Sequence, residues 1–316
     1  MCKNERATVK RVSFVFALLM TLAFSAGAQM FRVSVTTPAR LDRGFTLWVY
    51  DTDSLPHTFK PTGKKGPVVF TGKVEGIGIA YAELRHTKSA EPLPFFIENT
   101  EITINYNAEN PAASPITGSR TNSILRYQIE QCGSADAECL MQFATDNPSS
   151  PIVPYIIDRY LLTATDAESA TALYKSLSGN ATKTYHYRRL GKRLKRLAAV
   201  AEGQPLPSLV YTDKAGRTAS IDTMLSDSGY TLLIVGATYC RQCVDIKREV
   251  KSAFAQVRTV SVDVDNLKEG WDAPLMQQLE IDHIPFLLLV DPQHRIAARD
   301  IRVWQLGRLL EKERGL

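Results

Sequence analysis

Cys240-Arg241-Gln242-Cys243 is the part of this sequence best equipped for chemistry. Two thiols separated by two residues can close a disulfide within one helical turn and exchange it with an external disulfide. The thiolate is the reactive species, so its surroundings must favour a negative sulfur. Thr231 to Val235 (TLLIV) is a continuous apolar run, the mark of a strand buried on both faces. Gly236-Ala237-Thr238-Tyr239 leads out of it. Ile246, Val250 and Phe254 then share one face of a helix that opens at the cysteines. Unpaired amide N–H groups and the positive end of the helix dipole would face the first sulfur. Arg241 adds a positive charge in the same sense, and Gln242 is neutral. Cys240 is expected to attack, and Cys243, one turn in, to resolve the mixed disulfide.

The elements around this pair read as alternating strand and helix. Val260, Val262 and Val264 alternate as a strand, and a short helix fits Ala273 to Leu279. His283-Ile284-Pro285 stands directly before a buried-type strand, Phe286 to Val290. Asp291 to His294 is a turn, Arg295 to Ile301 a second strand, and Trp304 to Glu313 an amphipathic helix. Gly203-Gln204-Pro205-Leu206-Pro207 is a natural boundary, so residues 203–316 read as a separate α/β domain. A Cys-x-x-Cys is also half of a zinc site, but only Cys132, Cys139 and five histidines remain to complete one. No metal or cofactor is expected. Thr238 is too close to Cys240 for the Pro-x-x-x-Thr-x-x-Cys pattern of peroxiredoxins.

Upstream, three further regions are legible. Lys3, Arg6, Lys10 and Arg11 precede an apolar run from Val12 to Ala26 that ends in Ala26-Gly27-Ala28. That is the pattern of a secretory signal peptide over residues 1–28. Those residues carry four bases and one acid, so their removal lowers the net charge from +5 to +2. Nothing global then calls for nucleic acid as a partner. No later segment is long and apolar enough to span a bilayer.

Residues 29–120 alternate with period two in short runs punctuated by Gly and Pro, which argues for an antiparallel β sandwich or barrel. Residues 121–202 turn helical, with Asn122 as a candidate cap. The last helix carries Arg188, Arg189, Lys192, Arg193, Lys195 and Arg196 around a stripe of Leu190, Leu194 and Leu197. It reads as a solvated face over a buried stripe, against the alternative of an anionic membrane surface. Cys132 and Cys139 span a turn between helices and are expected to form a structural disulfide worth ~2 kcal/mol. Two free thiols are the alternative.

Residues from about 205 resemble the exported thioredoxin-like disulfide reductases, the group that includes the cytochrome c maturation thioredoxins. Pro207, Asp213 to Gly216 with Arg217, Cys240-x-x-Cys243, and Ile284-Pro285 ahead of a strand ending in Asp291 carry the likeness. The resemblance implies a cis proline at Pro285 against the cysteines, with Ile284 and Tyr239 meeting the substrate. Residues 31–120 resemble an N-terminal β domain of unknown function that often precedes such thioredoxins, through Phe70-Thr71-Gly72, Phe95 to Asn99 and Gly118 to Asn122. Two departures stand out. Tyr239 replaces the usual Trp, and Ile234 stands where many thioredoxins bury an acidic proton acceptor.

The expected protein is therefore an exported, multidomain thiol–disulfide oxidoreductase of the periplasm or envelope of a Gram-negative-type cell. It would act as a reductase on a protein or small-molecule disulfide, with electrons from a membrane partner. The alternative is an envelope binding or redox-sensing protein whose thioredoxin-like domain is vestigial or regulatory. The departures at Tyr239 and Ile234 favour that alternative.

Overall fold

In the computed structural model, which describes residues 30–37, 44–51, 55–62, 68–89, 91–133, 136–162 and 167–313, the alternating segments near the N-terminus are strands. The signal segment 1–28 lies outside the described residues. The chain divides into two compact units. One runs to Leu140 and adds Asn147–Val153 and Ser178–His186. The other takes Met141–Asp146, Pro154–Leu177 and Tyr187–Leu316. The helices of residues 121–202 are thus divided between the two.

The first unit holds two four-stranded sheets. Strands β1 (Phe31–Thr36), β4 (Val68–Gly72), β7 (Glu101–Asn105) and β8 (Ile116–Thr117) form one in the order β4-β1-β7-β8. Strands β2 (Phe45–Tyr50), β3 (His57–Phe59), β5 (Ile79–His86) and β6 (Leu93–Glu98) form the other in the order β3-β2-β5-β6. Phe31, Val33 and Val35 of β1 share one buried cluster with Phe45, Leu47 and Val49 of β2. The residues between them alternate to the opposite faces and are less buried. Each such side chain contributes about 1.5–3 kcal/mol on burial.

The expectation of purely antiparallel pairing needs one correction, since β1 and β7 run parallel. Parallel neighbours require a long crossover. The intervening strands β2 to β6 supply it. Strand β8 lies in a stretch rich in Pro, Ala, Ser and Asn, where no alternation marks it.

Helix α1 (Arg120–Cys132) is capped by Ser119, not Asn122. The Asn122 side chain instead accepts from Phe96 N–H at 2.9 Å and donates to Phe96 C=O at 2.6 Å, standing in for a strand partner. Glu98 accepts from the amides of Arg120 and Thr121 at the helix start. Gly118 has φ +83°, and a Cβ there would lie 2.0 Å from Glu101 O. The two C-terminal motifs of the β domain therefore do structural work, fastening a helix to a sheet edge.

Gly133 ends α1 at φ +70° and α2 (Ala137–Asp146) follows. Cys132 and Cys139 are disulfide-bonded across that break with their Cα atoms 5.4 Å apart. On an unbroken helix positions seven apart would be about 10 Å apart.

In the second unit, strands β11 (Thr231–Gly236), β12 (Arg258–Asp263), β13 (Phe286–Val290) and β14 (Ile296–Arg299) form a sheet in the order β12-β11-β13-β14. β12 is parallel to β11, while β13 and β14 are antiparallel to their neighbours. Alternate residues of β11 enter different clusters: Leu233 and Val235 on one face, Leu232 and Ile234 on the other. That explains the continuous apolar run. A small hairpin, β9 (Val210–Thr212) with β10 (Thr218–Ser220), precedes the sheet. No helix among the described residues is long and apolar enough to cross a membrane.

Candidate functional site

β11 ends at Gly236, and Ala237-Thr238-Tyr239 carries the chain to Cys240, the N-cap of helix α6 (Arg241–Ala253). The turn is held from below. Thr238 donates its amide to Asp265 Oδ1 at 2.8 Å, and its hydroxyl bonds the other carboxylate oxygen. These bonds hold the Asp265 carboxyl below its usual pKa, the hydroxyl contributing most. Cys240 and Cys243 are disulfide-bonded with their Cα atoms 5.3 Å apart. Cys240 Sγ accepts the Cys243 amide N–H at 3.1 Å. A sulfur in this position caps the helix as a Ser or Asp oxygen would, and on reduction the same N–H and the helix dipole favour its thiolate. Cys240 is half-buried, whereas Cys243 is fully buried.

The other residues expected at this site divide into two groups. Arg241 and Gln242 are exposed on the first turn, and Tyr239 is 70% exposed beside Cys240. On the sheet side, the Ile284–Pro285 peptide is cis. Val235 pairs with Phe286, so Pro285, one step further, enters the sheet at the end where Gly236 leaves it for the cysteines. Ile284 and Cys240 pack against the same buried cluster. Ile234 is fully buried among Val250, Leu287 and Leu306.

Sequence reasoning missed the support behind the cis-proline segment. His283 lies between two carboxylates, Nδ1 2.9 Å from Asp282 and Nε2 3.0 Å from Asp300. These partners, Asp282 foremost, raise the His283 pKa, and His283 in turn lowers that of Asp282. Arg193 on helix α5 (Tyr185–Ala199) reaches Asp282 at 2.6 Å, Glu280 at 3.1 Å and Asp158 at 3.1 Å. Arg189 pairs with Asp158, and Arg196 with Glu280. The basic helix is thus not simply a solvated face, since three of its cations face carboxylates. The signal available in the sequence was Glu280, Asp282 and His283 preceding Pro285, opposite in charge to that helix.

The domain family DUF4369, described as a domain of unknown function, matches residues 50–125. Among curated proteins, none matches the chain. Several solved structures from Bacteroides are similar. A thioredoxin-like protein from Bacteroides caccae is 15% identical over 56% of this chain and 76% of its own, with a TM-score of 0.41. The thioredoxin domain of a thiol-disulfide oxidoreductase from Bacteroides vulgatus is 20% identical over 36% of this chain and 97% of its own, with a TM-score of 0.28. A thiol:disulfide interchange protein from a Bacteroides species is 20% identical over 36% of this chain and 90% of its own, again at 0.28. Residues 50–125 thus match the DUF4369 model, and the second unit sets its Cys-x-x-Cys at a helix start with a cis proline leading into the neighbouring strand, the arrangement that the resemblance to thioredoxin-like domains implies.

Proposed function

We propose that the protein is an exported thiol–disulfide oxidoreductase working in the reducing direction through Cys240 and Cys243. The observation that carries this reading is the hydrogen bond from the Cys243 amide to Cys240 Sγ at the start of α6. It singles out the accessible sulfur as the one whose anion the backbone stabilises, and leaves the buried sulfur to resolve.

Cys240 thiolate attacks a substrate disulfide, one substrate sulfur leaves, and a mixed disulfide forms. Cys243 then displaces the second substrate sulfur and closes the internal disulfide. Tyr239, Ile284 and Pro285 would meet the substrate. In this reading residues 1–28 direct export to a periplasm or envelope, the two N-terminal sheets pack as a sandwich, and a membrane partner returns electrons. The reducing direction follows from modest thiolate stabilisation. Gln242 is neutral, and the exposed Arg241 charge is screened by solvent.

The competing reading, a redox sensor or binding protein, is favoured by the apolar surroundings of Ile234. Turnover of a model disulfide with a dithiol donor separates the two. Many turnovers per chain support the enzyme, and a single stoichiometric oxidation supports the sensor.

A further inference from the structure

The buried thiol of Cys243 poses a problem that the dipole at Cys240 does not solve. To resolve a mixed disulfide Cys243 must lose a proton. It has no exposure to water, and burial disfavours its thiolate. Ile234 offers no acceptor.

The register of the sheet provides one elsewhere. Gly236 of β11 is paired with Asp263, the last residue of β12. A Cβ on Gly236 would lie 3.3 Å from Cys243 Sγ and 3.4 Å from Asp263 Oδ1. The sulfur and the carboxylate oxygen are therefore separated by no more than the sum of those distances, with no side chain between them at Gly236. Within that bound a bridging water can relay a proton between them. Lys247, one turn beyond Cys243 on α6, places Nζ 2.6 Å from the same Oδ1. That ion pair fixes the carboxylate on the side of Gly236 where Cys243 lies. Both side chains are largely enclosed, at 27% and 19% exposure, so the pair is less screened than a surface one. Asp265, two residues on, is turned instead to Thr238 and lies in the field of Lys214.

Resting on the oxidoreductase reading above, we propose that Asp263, poised by Lys247, is the proton acceptor for Cys243 in the resolving step. Asp263 takes the Sγ proton and Cys243 thiolate attacks Cys240 Sγ. The Cys240–Cys243 bond forms while the bond from Cys240 to the substrate sulfur breaks. The electron pair leaves on that sulfur as a thiolate, which takes its proton from protonated Asp263 or solvent. The cysteine pair loses two electrons and the substrate gains them.

The test uses the full chain with Cys240–Cys243 reduced and Cys132–Cys139 kept oxidised, and one equivalent of 5,5′-dithiobis(2-nitrobenzoic acid). Attack by Cys240 releases one nitrothiobenzoate, and resolution by Cys243 releases the second, so the two steps appear as separate phases. Asp263→Asn is expected to leave the first phase unchanged and slow the second on the order of 10²-fold at pH 7. The second phase should recover as pH rises, and Asp263→Glu should restore much of it. Lys247→Gln keeps the carboxylate but removes the ion pair that holds it in place, so the second phase should slow while the first is unchanged. That variant decides the matter if Asp263→Asn does not fold. An unaltered second phase in Asp263→Asn or in Lys247→Gln overturns the assignment alone. A wild-type chain that releases nothing overturns the oxidoreductase reading and this assignment with it.

Discussion

Gly236 has room for nothing larger. A Cβ there would sit 3.0 Å from Cys243 Cβ, tighter than ordinary van der Waals contact, and Cys243 is locked in the first turn of α6. Gly236→Ala should therefore overpack the site and destabilise the second unit by roughly 1–3 kcal/mol. Chemical denaturation of the oxidised chain measures this, and an unchanged midpoint would refute it. The cysteines themselves differ in burial, and so should their variants. Cys240→Ser is expected to abolish both turnover and capture of a disulfide. Cys243→Ser should lose turnover yet still form a stable mixed disulfide, visible as an adduct mass. Capture by Cys240→Ser but not by Cys243→Ser would reverse the two roles.

Helix α5 and the segment before β13 meet through charges, and this makes a pH prediction. The folded pKa of His283 is raised, so the stability it contributes is fully present below its unfolded value of about 6.5 and is lost as pH rises through the folded value. Asp282 is lowered, so its contribution is present above about 3.9 and is lost as pH falls through its folded value. The melting temperature of His283→Asn should therefore fall furthest below wild type between about pH 4.5 and 6, and the difference should shrink by pH 9. A gap that is constant with pH would show that the carboxylates do not act through protonation.

The same elements mark what could be read from sequence. Phe286–Val290 was legible to the residue, because continuous burial leaves an unbroken apolar run along the chain. The cysteine site was legible because strand, turn and helix are contiguous. Asn122 on Phe96, Asp263 beneath Cys243 and Arg193 on Asp282 were not. Each brings near one another residues at least 20 apart in the chain, and no local period encodes such a neighbour.

For the molecule as an electron carrier, the quantity that matters is the stability of the reduced pair relative to the disulfide. Strong oxidants of the thioredoxin class stabilise the nucleophilic thiolate heavily. Here the backbone N–H on Cys240 is supplemented by an exposed Arg241 and a neutral Gln242. The expected potential lies below the ~−120 mV of the strong periplasmic oxidant and above the ~−270 mV of cytosolic thioredoxin. Equilibration of the Cys240/Cys243 pair in glutathione and dithiothreitol buffers, scored by alkylation, gives the value. A result near −120 mV would make the protein an oxidase or isomerase.

Strand β1 has a consequence for how this chain can be made and cut. It lies between β4 and β7, yet it leaves the ribosome before either of them. Its partners follow only at Val68–Gly72 and Glu101–Asn105. Until they arrive, Phe31, Val33 and Val35 form an apolar strand with both edges open, the form of chain most prone to pair with a stranger. Slow or stalled synthesis would prolong that exposure. A fragment trimmed to residues 50–125, the span matched by the domain family, would meet the reverse difficulty. It would keep β4 and β7 and discard the strand that joins them. The self-sufficient piece for biophysical work starts ahead of Phe31.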